Sequence, residues 1–572
     1  MPQEVCINQL TLIDYIVVGL YIATTFFIGN YYVKKAGESV EEYFLSGRSF
    51  PWWLIGVSMA ATNFSIDTPL ALTKFVSANG VAGTWYYWAS GISAVAATFV
   101  FSKLWRRAKV VTDNELIELR YSGRSAVCLR IFKGVYFGIL INGFVLAWVF
   151  KALAKITTVV VPWDSNYVML FFVIVTLIYT VSGGFYGVVL TDFIQYIFAL
   201  GGSILLAIYA VDYVGGLDVL VTKIGLLKGQ GFLDFTPRFD QTTNDELTFP
   251  GFVALFLIQW WAHKYSDGGG KHIQRMSAAK DEIHATWGTF FYAIFTYVAN
   301  LWPWIVTALC ALVVFEGAAD FEKSYPMMMI RVLPHGILGL CVVSLIGAFM
   351  STVDTHLNLG ASYFINDIYK RFLCKNATDG HYVMVSRVSV VVIMMISVTV
   401  SFFIDSVGSF YLFVLTFASG AGLTWVLRWF WWRINAYSEI SAMITSGIVA
   451  SLIKIFYPET TFAASLVIII LVTVPLFIFV TLITKPSSDE VLREFYNRVR
   501  PSVLGWRPII NKYGLTHAPF LKQSLVNFAL GVFLLIFCNI GIGTLLFKSV
   551  LLGSLVLVVC LAVAVFLIKR VA

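Results

Sequence analysis

Charged residues are scarce in this chain, and its cysteines are few and scattered. Asp, Glu, Lys and Arg make up 13% of the 572 residues, about half of the share in soluble globular proteins. The seven cysteines form no CxxC pair and no metal-ligand spacing, which excludes a zinc cluster and predicts reduced packing residues. A nucleophile triad, a phosphate loop and room for a soluble catalytic module are also lacking. These absences argue against an enzyme.

Long apolar runs, by contrast, recur along almost the whole chain. Hydrophobic residues account for 59% of it, and the mean hydropathy is +0.81. Runs of about 20 apolar residues can cross a bilayer as helices, so we expect an all-α, polytopic protein of the cell membrane (plasma or inner) with about fifteen transmembrane helices. The expected spans are 11–33, 52–76, 81–105, 127–157, 166–183, 187–211, 249–265, 284–314, 334–366, 381–404, 409–433, 437–456, 461–483, 523–547 and 549–568.

Basic residues fall on one side of the membrane when these spans alternate. Because cytoplasmic loops are enriched in Lys and Arg, the pattern predicts an N-terminus outside and a C-terminus inside. The net charge of +8 is therefore an orientation signal, and no nucleic-acid partner is expected. The cytoplasmic group is Lys34, Lys35, Arg48, Arg106, Arg107, Lys109, Arg120, Arg124, Lys264, Lys271, Arg275, Lys280, Lys370, Arg371, Lys375, Arg493, Arg498, Arg500, Arg507, Lys569 and Arg570.

A stripe of side-chain oxygens runs through the ninth span, within 347–370. Its hydroxyl residues Ser351, Thr352 and Thr355 share one helix face with Ala348, at the spacing i, i+3, i+4, i+7 counted from Ala348. Hard cations such as sodium prefer oxygen ligands, and an intramembrane carboxylate such as the flanking Asp354 marks a functional site. The alternative is that these hydroxyls bond back to helix carbonyls and hold neighbouring helices together.

The second span, PWWLIGVSMAATNFSIDTPLALTKF, carries polar residues and a proline that predict a broken helix. Unwound backbone at membrane depth is tolerated where it lines a cavity, and its free carbonyls can bind a cation. Asp67 is placed to bind an ion or a solute. The alternative is a pair between Asp67 and Lys74, two turns further along.

The sixth span begins near GGFYGVVLTDFIQ and buries a carboxylate. Asp192 follows the turn expected at Gly183–Gly184 by about two helical turns, which is deeper than a helix cap requires. We therefore expect it to be a buried ligand. The glycine run Gly268–Gly270 predicts a flexible cytoplasmic turn. The isolated histidines of the chain are expected to be mostly structural, namely His263, His272, His335 and His356.

Four ordered motifs in the chain resemble those of the sodium:solute symporter family. They are EEYFLSGRSFPWWLIGVSMAATNFS (41–65), GGFYGVVLTDFIQ (183–195), HIQRMSAAKDE (272–282) and GAFMSTVDTHLNLGASYFINDIYK (347–370). The resemblance implies a leucine-transporter-like fold with an inverted repeat of five plus five helices. The domains expected are an N-terminal helix and loop at 1–49, a first repeat at 50–212, an extracellular loop at 213–248, a second repeat at 249–434, additional helices at 435–484, a cytoplasmic segment at 485–522 and a C-terminal hairpin at 523–572.

The resemblance also implies two sodium sites. The family's common sodium site takes two carbonyls from the broken helix and three ligands from the stripe. The matching positions here are Ala61, Phe64, Ala348, Ser351 and Thr352. Some members hold a second sodium, for which the matching positions are Asp192, Ser351, Asp354 and Thr355. Asp354 replaces a hydroxyl of the family pattern, which would strengthen that site, make it proton-sensitive or change its ion.

The solute is less well indicated, because the pattern of the sugar-transporting relatives is absent. Their Glu–Gln pair is replaced by Asp67–Thr68, their lysine aligns with Asn300, and their glutamine aligns with an apolar run near Phe413. The tract after Trp261, HKYSDGGG, is longer than usual. The candidate solute-binding residues are Asp67, Thr68, Trp85, Trp260 and Asn300.

The expected function is sodium-coupled import of a small polar organic solute by alternating access, with a sugar or sugar derivative favoured. The alternatives are an organic acid or an amino acid as solute, and protons as the coupling ion through Asp354 or Asp67. A channel or a transporter-like sensor fits less well. Sodium is expected as a transported ion rather than as a tightly bound cofactor. The expected partners are solute, sodium and lipid, and a monomer is the working expectation.

Overall fold

A computed structural model describes residues 10–36, 49–110, 112–182, 185–237, 247–516 and 521–571. The turn expected at Gly183–Gly184, the first motif before Ser49 and part of the acidic loop near Asp245 lie outside these residues. Apart from one isolated bridge between Phe50 and Ala279, regular secondary structure in the described ranges is helical. The all-α prediction is confirmed.

The first half of the chain begins with one helix and a short broken pair. Further helices follow, some of them joined by π-helical turns. Their bounds are α1 Leu12–Ala36, α2 Trp52–Asn63, α3 Asp67–Asn79, α4 Trp85–Ala96, α5 Ser102–Ala108, α6 Glu115–Arg120, α7 Gly123–Val160, α8 Ser165–Ser182, α9 Phe185–Val214 and α10 Leu217–Lys228.

The second half also begins with a short, interrupted helix. Its bounds are α11 Phe249–Gln259, α12 Ile273–Ser277, α13 Glu282–Val314, α14 Ser324–Val332, α15 Ile337–Leu373, α16 Asp379–Ser401, α17 Val407–Ser419, α18 Gly422–Phe430, α19 Ala436–Phe456, α20 Phe462–Ile483, α21 Asp489–Val499, α22 Arg507–Tyr513, α23 Leu521–Phe547 and α24 Val550–Val571.

Nine helices in the described ranges are long and apolar enough to cross a membrane, and ten if the bent pair α17–α18 counts as one span. This finding confirms a polytopic membrane protein. Each of the fifteen expected spans coincides with helical structure, but several are interrupted or too short to qualify by length and hydropathy alone. The number of crossings and the orientation therefore remain predictions.

The break expected in the second span is present between α2 and α3. Phe64 ends α2 with an extended backbone (φ −79°, ψ 95°), and its amide bonds back to the carbonyls of Ala60 and Ala61. The helix then restarts at Asp67. Because an extended residue cannot continue the i to i+4 ladder, carbonyls at the break are left available to other ligands.

A second break separates α11 from α12 and holds the glycine run. Gly268 (φ 79°) and Gly270 (φ 65°) adopt backbone conformations that disfavour other residues. Asp267, only 1% exposed, accepts hydrogen bonds from Arg428 Nη2 (2.5 Å) and Trp429 Nε1 (2.8 Å) of α18. The tract is thus anchored inside the bundle, and its interpretation as a flexible cytoplasmic turn is wrong.

Close backbone contacts hold these broken segments in place. A Cβ on Gly56 of α2 would lie 2.7 Å from Phe291 Cδ1 and 2.9 Å from the Gly288 carbonyl oxygen of α13. Cys341 of α15 donates to the Gly202 carbonyl of α9 at 3.3 Å. Small residues permit such approach between membrane helices. The helix before the first break, α2, thus packs closely on α13, and α9 packs closely on α15.

The second break should be sensitive to the size of one residue, Gly422. A Cβ there would collide with the Trp261 carbonyl oxygen and would lie 2.7 Å from the His263 amide nitrogen. We expect Gly422→Ala to destabilise the protein by about 1–3 kcal/mol, the usual cost of overpacking. Thermal unfolding in detergent measures the effect. Gly380→Ala is the control, because a Cβ there meets nothing within 4 Å, and equal unfolding temperatures for the two variants would refute the constraint.

Candidate functional site

Asp192 of α9 is the centre of a buried polar cluster. Its carboxylate is 1% exposed and accepts hydrogen bonds from Ser58 Oγ (2.8 Å) and Ser351 Oγ (2.8 Å). Arg275 Nη2 approaches it at 3.2 Å, and Arg275 Nε donates to Ser58 Oγ at 2.8 Å. These four side chains connect α2, α9, α12 and α15. The cluster therefore joins the helix before the first break, α2, to the helix after the second break, α12.

The cluster bears directly on the expected second sodium site. Asp192 and Ser351 are in contact, as that site requires, but the guanidinium of Arg275 already supplies a positive charge to the carboxylate. Asp354 lies one turn along α15 from Ser351, accepts from Asn358 Nδ2 at 2.8 Å and interacts electrostatically with Arg275. Thr355 is half-buried. A second sodium would have to share these carboxylates with Arg275.

The residues of the expected first sodium site are all buried. Ala61, Phe64, Ala348, Ser351 and Thr352 are between 2% and 5% exposed. Among the described residues, Thr352 Oγ1 has no hydrogen-bond partner, and Ser351 donates to Asp192. Neither hydroxyl bonds back to its own helix, so that part of the alternative interpretation does not apply to this pair, whereas the Ser351 bond does connect α15 to α9. A buried hydroxyl without a partner is costly unless a ligand satisfies it.

A cavity of about 180 Å³ lies between the two breaks. It is lined by three of the expected solute-binding residues, Asp67, Thr68 and Asn300, and also by Thr352. Trp85 and Trp260 are elsewhere. Trp85 donates to the Phe235 carbonyl at 2.9 Å, and Trp260 packs on Phe528 with ring centroids 5.6 Å apart.

The alternative pairing of Asp67 with Lys74 is not present. Lys74 Nζ donates to Ser406 Oγ (3.0 Å) and Ser409 Oγ (2.7 Å). Asp67 instead accepts a short hydrogen bond from Ser65 Oγ, and its side chain borders the cavity. The carboxylate is therefore available to the contents of the cavity rather than committed to an ion pair with Lys74.

Several cavity residues were assigned elsewhere by sequence pattern. Lys264, Lys271 and Arg275 were counted with the cytoplasmic cations, but both lysines line the cavity and Arg275 is 2% exposed in the polar cluster. Three of the histidines that were expected to be structural also line the cavity, namely His263, His272 and His356. The unusual length of the tract after Trp261, together with its glycines, was the signal that a second break places these residues inside.

The chain matches the model of the sodium:solute symporter family over residues 43–446. The sodium/glucose cotransporter of Vibrio parahaemolyticus is 26% identical, over 84% of this chain and 92% of that protein. A sodium/glucose cotransporter 4 of Danio rerio is 24% identical, over 86% of this chain and 82% of that protein.

Among solved structures, a substrate-bound, outward-open Na⁺-coupled sialic acid symporter superposes with a TM-score of 0.70. It shares 20% sequence identity and covers 84% of this chain and 99% of that one. At this identity the superposition establishes the fold alone. The family match spans well over half of the chain, including both breaks and the stripe of α15. The chain belongs to the sodium:solute symporter family.

Proposed function

We propose that the protein uses an inward sodium gradient to import a small polar organic solute, with a sugar or sugar derivative favoured. Family membership supports sodium-coupled symport, and the sodium/glucose and sialic acid transporters among its relatives support the solute class. The cavity between two broken helices is the usual position of the solute site in transporters with inverted repeats. Uptake of a solute panel by proteoliposomes, with and without sodium, tests the proposal.

Sodium binds at the first break, between α2 and α15. Its ligands are the carbonyls of Ala61, Phe64 and Ala348 and the hydroxyls of Ser351 and Thr352. Hard cations prefer such oxygen ligands. The burial of all five residues and the unpartnered Thr352 hydroxyl support this assignment.

The observation that carries the coupling proposal is the position of Thr352. This residue lines the solute cavity, and its hydroxyl is a sodium ligand in the proposed site. Sodium and solute are then neighbours, so each stabilises the segments that the other contacts. Occupancy of both sites favours closure of the bundle around them, and rocking of one repeat against the other releases both inside. The membrane potential adds roughly 2.3 kcal/mol per 100 mV for each charge moved.

The Asp192–Arg275 pair supports a stoichiometry of one sodium per cycle. Because the guanidinium already neutralises this carboxylate, we expect one sodium per cycle at the first site. A plot of initial uptake rate against sodium concentration should give a Hill coefficient of about 1. A coefficient clearly above 1 would instead support a second sodium at Asp192, Ser351, Asp354 and Thr355.

The transmembrane arrangement is part of the proposal. The protein crosses the cell membrane about fifteen times, a number matching the apolar runs, with its N-terminus outside and its C-terminus inside. The two repeats occupy 50–212 and 249–434, and the other parts keep the boundaries expected from sequence. The cations that remain outside the bundle, such as Arg107 and Lys280, support this orientation. Epitope tags at each terminus, detected in intact and permeabilised cells, test it.

A further inference from the structure

Two lysines bring positive charge into the solute cavity. Lys264 and Lys271 both line it, and their ammonium groups are close enough to interact electrostatically. Lys271 Nζ donates to the Thr62 carbonyl at 3.2 Å. Lys264 Nζ lies 5.3 Å from the ring centroid of Trp148. Among the described residues, neither lysine forms an ion pair.

The acidic residue that lines the cavity does not balance these two charges. Among the described residues, Asp67 is the one carboxylate in the lining, and it interacts electrostatically with both lysines while bonding Ser65. Asp192 and Asp354 lie outside the lining and both interact with Arg275. With neutral histidines, the described side chains that line the cavity therefore carry one positive charge in excess. An uncompensated charge in a low-dielectric interior is costly, and an anionic ligand would relieve that cost.

The other polar groups that line the cavity are neutral, and they suit neutral hydrogen-bonding groups of a ligand rather than its charge. Buried lining atoms without a described hydrogen-bond partner are Tyr87 Oη, His263 Nε2, Tyr265 Oη, His272 Nδ1, Thr296 Oγ1 and Asn300 Nδ2. Such neutral donors and acceptors suit hydroxyl groups. The volume of about 180 Å³ is below the range of about 300–1,000 Å³ for drug-sized ligands, and therefore favours a solute of one ring.

We infer that the solute is a polyhydroxylated monocarboxylate, a sugar acid, whose carboxylate binds at Lys264 and Lys271. Its hydroxyls bind to the neutral polar groups of the cavity. This inference rests on the proposed symport function and specifies its solute. The carboxylate neutralises the excess charge beside the sodium site, so anion and sodium favour each other's binding.

Competition in wild-type proteoliposomes tests the inference with three probes: D-glucuronate, D-glucose and L-lactate. We expect sodium-dependent uptake of radiolabelled D-glucuronate. D-Glucose, which lacks the carboxylate, and L-lactate, which lacks most of the hydroxyls, should compete at least about tenfold more weakly. Sodium-dependent glucose uptake that glucuronate does not inhibit overturns the anion assignment, and preference for lactate overturns the sugar assignment. Absence of transport of all three, in sodium and in potassium alike, overturns the sugar-acid inference.

Failure of the symport proposal has a different signature. Suppose that glucuronate uptake is equal in sodium and in potassium, and that glucose still competes with it only weakly. This result would retain the anion site and contradict sodium coupling. Loss of the anion preference with sodium dependence intact would contradict only the sugar-acid inference. The two outcomes are measured in the same vesicles.

Variants of the two lysines locate the carboxylate. Lys264→Met and Lys271→Met should each raise the KM for glucuronate by about tenfold or more, because each removes a charge-assisted contact. Inhibition by glucose should change little. Lys280→Met is the matched control, since Lys280 is exposed, and should retain the wild-type KM. If a methionine variant does not fold, Lys264→Arg or Lys271→Arg is measured in its place, because arginine keeps the positive charge while changing the shape of the contact. Unchanged glucuronate affinity in folded variants of both lysines overturns the carboxylate position.

Discussion

Replacing Asp192 with asparagine is expected to abolish sodium-driven uptake and to destabilise the protein by about 3–5 kcal/mol, the cost of breaking one partner of a buried ion pair. The carboxylate accepts bonds from Ser58, Ser351 and Arg275. Asparagine keeps the shape but removes the ion pair between the carboxylate and the guanidinium of Arg275, which is 2% exposed. Thermal unfolding in detergent and uptake in proteoliposomes measure the two effects.

Two further variants separate charge from position. Asp192→Asn combined with Arg275→Gln removes both charges, so we expect much of the lost stability to return, while uptake stays low because the connection among four helices has changed. Asp489→Asn is the chemical control. Asp489 pairs with Lys512 on the surface, where solvent screening leaves such a pair little effect on stability. Equal destabilisation by Asp192→Asn and Asp489→Asn would contradict the buried cluster.

Replacing Thr352 with valine is expected to weaken sodium binding without destabilising the sodium-free protein. The hydroxyl has no described partner, so its loss leaves no other buried polar group unsatisfied, and an isosteric apolar group is tolerated there. Loss of one sodium ligand should raise the half-saturating sodium concentration by about tenfold or more. Sodium-dependent stabilisation of wild type and variant, followed by thermal unfolding, measures both quantities.

Thr98→Val provides the control for this substitution. Thr98 is also buried, but its hydroxyl donates to the Ala94 carbonyl of its own helix at 2.9 Å. We expect a small loss of stability and a wild-type response to sodium. A wild-type sodium response in Thr352→Val would refute the proposed ligand.

Local features of the sequence were sufficient to predict the first break and the burial of Asp192, and the family resemblance implied that Asp192 and Ser351 lie together. Polar residues and Pro69 in an apolar run predicted the interruption that ends at Asp67. The depth of Asp192 and the helical spacing of Ser351 indicated that both side chains face the interior. These signals depend on neighbouring residues and on the high cost of polar groups in lipid. The expected contact between Asp192 and Ser351 is present at 2.8 Å.

The cationic part of the site was not predicted, because the positive-inside rule assigns a charge by its position along the chain. Lys264, Lys271 and Arg275 follow an apolar run and therefore counted as cytoplasmic, whereas the second break returns this tract into the bundle. The aromatic residues failed to indicate the site for a related reason. Trp85 begins an apolar helix and Trp260 directly follows one, and only tertiary packing decides whether such a ring faces a cavity, lipid or another helix.

Accumulation against a gradient tests the central claim, sodium coupling through Thr352, most directly. Purified wild-type protein and Thr352→Val are reconstituted into vesicles with sodium outside and potassium inside, and uptake of labelled D-glucuronate and D-glucose is followed. The account predicts that the wild type transiently concentrates one of these solutes above its external level, and that this accumulation disappears without the sodium gradient and in Thr352→Val. Accumulation that is equal with and without the sodium gradient, or equal in the variant, would contradict it.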